Sequence, residues 1–277
     1  MTAALFSLAL DLAQGMALVK ILVAVLMVVG LSLLAEHVSP RIAGVVSGYP
    51  LGAAISLFFI GYDLGPEFAA RSAVYTAAGL AATQAFAAAY FLASWRMNGR
   101  PRLPAVLIST VVGLAGFFAV ALAMHPLRVG LLAAGLLALG SILFFDRLLR
   151  NLTDAGIQNR VRTGPGIIIT RALAAAVFII LVTSTARLVG PGWAGLFSAF
   201  PITMLPLIVI VHWTYRTEHV HTIIKNVPRG IGALAVYTLT VSLLYPRIGI
   251  YWGTLAAYAG ATIYLVLLVQ GGKPRVP

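Results

Sequence analysis

Apolar runs about as long as a bilayer is thick follow one another along nearly the whole chain, separated by short segments that hold most of the charge. A helix needs about 20 apolar residues to cross the hydrocarbon core. Nine runs reach or approach that length: 16–35, 41–61, 69–94, 103–123, 127–145, 166–186, 192–213, 229–245 and 248–269. The stretch 103–145 is too long for one helix, and Ala123-Met124-His125-Pro126 offers the turn that divides it. In hydrocarbon every backbone N–H and C=O must pair within the protein, so such runs fold as helices. Composition agrees. Of 277 residues 61% are hydrophobic and 9% charged, against roughly 25% charged in a soluble domain. Too few charges remain to cover a water-facing surface. The fold expected is an all-α integral membrane protein of about nine transmembrane helices.

Charge placement tests that count. The formal net charge is +12, but the basic residues sit in short loops, where topology signals lie, so nucleic acid is not an expected partner. Numbering the runs one to nine sorts the basic residues by side. One side collects Arg41, Arg96, Arg100, Arg102, Arg147, Arg150, Arg160, Arg162, Arg216, Lys225, Arg229, Lys273 and Arg275; the other collects Arg71, Arg128, Arg187 and Arg247. A miscounted helix would scramble this 13-to-4 division. It puts the C-terminus in the cytoplasm and the N-terminus outside, as in a multi-pass protein of a bacterial inner membrane. The first basic residue is Lys20, so no cleavable signal peptide is expected. Cysteine is absent, which excludes disulfides and thiolate metal sites.

The chain matches itself at an offset of 151 residues. The stretch from Val38 to Leu51 lies over that from Val189 to Ile202, with six of 14 positions identical, among them Pro40/Pro191, Ser47/Ser198 and Pro50/Pro201. In the same register Lys20 falls on Arg171, Glu67 on Glu218 and Gly79 on Gly230. A fixed-period self-match is the mark of a repeat. Runs one to four then correspond to runs six to nine, and run five is a linker that inverts the second copy. The expected organisation is a 4+1+4 inverted-topology repeat: residues 1–124 form the first four-helix unit, 125–165 the linker helix and cytoplasmic loop, and 166–277 the second unit.

Each copy carries a Gly-rich run interrupted by proline: Gly44, Gly48, Pro50 and Gly52 in the first, Gly195, Pro201 and Pro206 in the second. Proline removes a backbone donor and breaks the helix, and Pro50 and Pro201 each suit the first turn of a half-helix. A half-helix N-terminus near the midplane favours an anion. The candidate substrate-binding set is therefore Ser47, Gly48, Tyr49, Pro50, Ser198, Phe200 and Pro201. A kink that merely packs helices is the competing reading. Lys20 and Arg171 join the set as basic residues within runs, although both lie close enough to run ends to reach the interface. His212, His219 and His221, beside Trp213 and Tyr215, read as interfacial residues, since a two-residue spacing does not suit one helix face. Asp63, Glu67 and Glu218 read as solvated loop acids or N-terminal helix charges.

No zinc motif, serine nucleophile motif or facing acid pair is present, so no enzyme, metal or cofactor is expected. The second half resembles the GlpM type of small bacterial inner-membrane protein. The likeness lies in Ala194-Gly195-Leu196, Phe200-Pro201, an apolar run to Trp213 and Tyr215, a polar loop from Arg216 to Arg229, and an aromatic-rich tail to Leu268. It covers about 80 residues and, more weakly, a stretch from Ala43 in the first half. This resemblance implies a doubled version of that unit, and a link to alginate production that the doubling and the added helix set apart from this chain. Two functions are expected: a secondary transporter of a small solute, or a membrane scaffold in an envelope polysaccharide complex. The partners are the bilayer and a small solute, and a homodimer is left open.

Overall fold

The computed structural model describes residues 18–23, 25, 26, 29, 30, 45, 48–152 and 165–271. Its elements from Leu51 onward are all helical: α1 (Leu51–Leu64), α2 (Pro66–Arg96), α3 (Arg102–Met124), α4 (Leu131–Leu149), α5 (Pro165–Ser198), α6 (Met204–Thr214) and α7 (Thr217–Gly271). Five are long and apolar enough to cross a membrane, as a multi-pass membrane protein requires. At 14 and 11 residues, α1 and α6 are too short to cross alone.

Two of the long helices are broken and fold back. In α7, Gly249 adopts φ 80°, a left-handed conformation that costs other residues about 1–2 kcal/mol. An unbroken helix would hold Arg229 and Tyr264 about 50 Å apart, yet the Tyr264 hydroxyl donates to the Arg229 carbonyl at 3.1 Å. The part before Gly249 and the part after it therefore form an antiparallel hairpin. Gly190 (φ 77°) divides α5 in the same way, and the rings of Phe178 and Phe200 stack at 4.7 Å across that bend. At Gly190-Pro191 and at Gly65-Pro66 a left-handed glycine ends one helix and a proline starts the next. That one-residue turn needs no loop. Asp63 consequently lies in the last turn of α1 and Glu67 in the first turn of α2, not between them.

The polar stretch after Arg216 is a second correction. It is helical from Thr217 onward, not a loop. Val220, Ile223, Ile224, Val227 and Ile231 are buried at helical spacing, so the segment has an apolar stripe to bury, while Glu218, Lys225 and Arg229 stay at least partly exposed.

Long-range bonds define the two ends of the bundle. At one end Arg229 Nε donates to Asp146 Oδ1 at 2.9 Å and Lys225 Nζ to the Leu152 carbonyl at 2.6 Å, while Arg102 reaches the Trp213 carbonyl at 3.5 Å. At the other, Tyr75 donates to the Leu127 carbonyl at 3.2 Å and the rings of His125 and Trp193 stack at 4.5 Å. The described basic residues sorted by charge in the sequence lie toward these two ends, the larger group at the first. Between them α2 is the central helix. Its small buried face, with Ala69, Ala73, Ala77 and Ala82, allows close helix approach. α4 is peripheral, with Leu132 and Leu136 turned outward at 84% and 70% exposure.

Candidate functional site

The two proline breaks meet in the interior. Gly48, Tyr49 and Pro50 before α1, and Ser198, Phe200 and Pro201 before α6, line one cavity together with Thr83 of α2. It holds about 30 Å³, room for a single water. Six of the nine residues expected to bind substrate are thus brought together. Ser47 and Gly44 lie outside the described residues. Arg171 is on α5, with its side chain outside the description, and Lys20 lies elsewhere.

Each break has defined backbone bonds. In the first, Gly48 N donates to Val45 O at 3.2 Å, Leu51 N to Tyr49 O at 2.7 Å and Ala54 N to Pro50 O at 2.9 Å. In the second, Ala199 N donates to Leu196 O at 3.1 Å, Ile202 N to Phe200 O at 2.8 Å and Leu205 N to Pro201 O at 2.9 Å. Carbonyls freed by a break must find donors inside the protein. Thr83 donates to the Ala199 carbonyl at 2.6 Å, and Thr76 adds a second donor, at 3.0 Å, to the Gly195 carbonyl that already accepts from Ala199 N. These two threonines were not among the expected site residues. Their signal is polar groups seven apart on an alanine-rich helix, which share a face.

Packing around the junction leaves little slack. A Cβ on Gly48 would strike the backbone of Gly230, and one on Gly79 would lie 2.9 Å from the Ala199 Cβ. Phe200 is held by the stacked Phe178 and, edge-on at 5.1 Å, by Phe117. The Tyr49 hydroxyl bonds Thr262 at 2.9 Å. Ser198 donates to the Ala194 carbonyl of its own helix at 2.8 Å, so its proton serves the backbone. No charged side chain lines the cavity. The electrostatic feature present is the pair of helix starts, α1 and α6: in α1 Gly52 and Ala53 precede the first intrahelical bond, from Ala54 N to Pro50 O, whereas in α6 Leu205 N already donates to Pro201 O and Pro206 has no N–H.

The remaining polar residues form separate groups. Lys20, 8% exposed, donates to Asp63 Oδ2 at 2.5 Å and sits 5.5 Å from the Phe59 ring centre. An ion pair, not the cavity, holds it. His212 is buried against α2: it is 5% exposed and its Nδ1 lies 2.9 Å from the Tyr90 hydroxyl. His221 Nε2 lies 3.0 Å from Ser94 Oγ, and His219 stacks on Tyr215. Among the described residues no three His, Asp or Glu side chains group as metal ligands. No protein family, curated protein or solved structure matches this chain.

Proposed function

We propose that the chain is a transporter or permease of a small anionic solute, working at the junction of the two breaks. In this reading it has nine passes as a 4+1+4 inverted repeat, with the end rich in arginine and the C-terminus in the cytoplasm and the N-terminus outside. The supporting observation is the junction's internal correspondence. Adding 151 to Gly48→Val45, Leu51→Tyr49 and Ala54→Pro50 gives the three backbone bonds of the second break, each within 0.1 Å. The same shift carries the Gly48–Gly230 approach onto Ala199–Gly79. Each break therefore packs against the other copy's long helix, as two units related by a two-fold axis require, and an inverted repeat puts that axis in the membrane plane.

The helix starts of α1 and α6 converge there and favour negative charge. A cavity of about 30 Å³ is then a closed state. Rocking of one unit against the other opens the junction to each side in turn. The native chain has no cysteine, so single cysteines at 49–52 and 199–203 can be labelled in vesicles from either side. Labelling that shifts from one face to the other with solute or pH is expected. Protection at every position in all conditions would instead favour the second reading, a scaffold of an envelope polysaccharide complex, for which the tight junction also speaks.

A further inference from the structure

A second cavity lies at the arginine-rich end, between the α2–α3 turn and the α6–α7 turn. At about 210 Å³ it is far larger than the junction cavity. Arg100, Arg102 and Arg216 line it, with Glu218 as its one acid. Arg100 has no carboxylate partner among the described residues. Arg216 and Glu218 are 3.8 Å apart and well exposed, a pairing worth little in water. Arg102 makes one long bond, to the Trp213 carbonyl. Topology requires basic residues near this end but not that three from two separate turns line one concave surface.

Two further features favour an anion. His212 also lines the cavity although it is 5% exposed. Its Nδ1 faces Tyr90, and its Nε2 has no protein partner among the described residues, so this largely buried side chain keeps one ring nitrogen open to a ligand. The helices that begin at Arg102 and Thr217 also start at this cavity, adding two positive dipole ends. Outside it, Leu103 and Trp213 are 55% and 50% exposed, the apolar and aromatic surface of a membrane interface.

We propose that this cavity binds a phosphate group through Arg100, Arg102 and Arg216, with His212 at its inner wall. Guanidinium forks match phosphate oxygens in pairs. The phosphate belongs either to a lipid headgroup or to a soluble anion. This site is separate from the junction and does not depend on the transport reading.

The full chain in detergent is titrated with inorganic phosphate, using chloride as control. In parallel, native mass spectrometry reads retention of phosphatidylglycerol from mixed vesicles. Arg100→Gln, Arg102→Gln and Arg216→Gln are each expected to weaken binding about tenfold, the equivalent of 1.4 kcal/mol. The Arg71→Gln control at the opposite end should leave it unchanged. Phosphate binding lost in the triple variant identifies a soluble anion; lipid retention alone, lost in the same variant, identifies a headgroup. Either outcome supports the site. Absence of both, binding that survives the triple variant, or equal binding by a triple Arg→Lys variant overturns it, the last because diffuse charge would then suffice. Unchanged helicity and melting of the variants separate lost binding from lost folding.

Discussion

Single side chains decide whether the breaks can exist inside a bilayer. Thr83→Val removes the donor to the Ala199 carbonyl while preserving shape, and should cost about 1–2 kcal/mol. Thr83→Ser should recover most of it, as read by melting of the purified protein. Gly48→Ala drives a methyl into the Gly230 backbone, whereas Gly140→Ala on the outer face of α4 meets nothing within 4 Å. The first should prevent a stable fold, and the second should be neutral or gain up to about 1 kcal/mol. Similar losses from both would mean that the close crossing is not required. Lys20 and Asp63 form a partly buried pair, so Lys20→Met should be more harmful alone than together with Asp63→Asn. A coupling of about 1–2 kcal/mol is expected from the double-mutant cycle, and additive losses would show that the pair does not act as one.

At the scale of elements, the sequence speaks where the physics is local. Pro50 and Pro201 mark the breaks because a proline ring acts on its own helix, and Gly190 and Gly249 turn the chain within one residue. The helix after Thr217 reads as a loop in the sequence because of its charged residues, while the stripe from Val220 to Ile231 becomes evident only when α2 and the rest of the core are there to bury it. Partners distant in sequence were not legible. Thr83 reaches Ala199 across 116 positions and Tyr90 reaches His212 across 122, and no local pattern encodes either. The sequence therefore shows His212 only as a neighbour of Trp213, not that α2 buries it. The role of the breaks is testable at this scale. Pro50→Ala and Pro201→Ala should leave the protein folded, since each residue precedes a helix rather than interrupting it, yet slow solute flux by tenfold or more. Unchanged flux in both variants would reduce the prolines to packing residues.

For the whole molecule, the question is whether the two halves move. A permanent scaffold tolerates a covalent tie between them, but a protein that opens at the junction does not. Gly79 of α2 and Ala199 at the second break offer such a tie. A Cβ built at Gly79 lies 2.9 Å from the Ala199 Cβ, and a disulfide needs about 3.8 Å. A local shift of about 1 Å therefore admits the bond, and the absence of native cysteine makes it the one disulfide the doubly substituted chain can form within itself. In the transport reading, oxidised Gly79→Cys/Ala199→Cys protein should fold and melt higher than its reduced form. It should also lose flux of whichever anion stabilises the native protein, and regain it on reduction. Each single variant carries the steric change without the tie, so flux lost equally in the singles would point to damaged packing. Full flux through the oxidised double variant would exclude motion at this junction, leaving the paired breaks as a device of assembly rather than of passage.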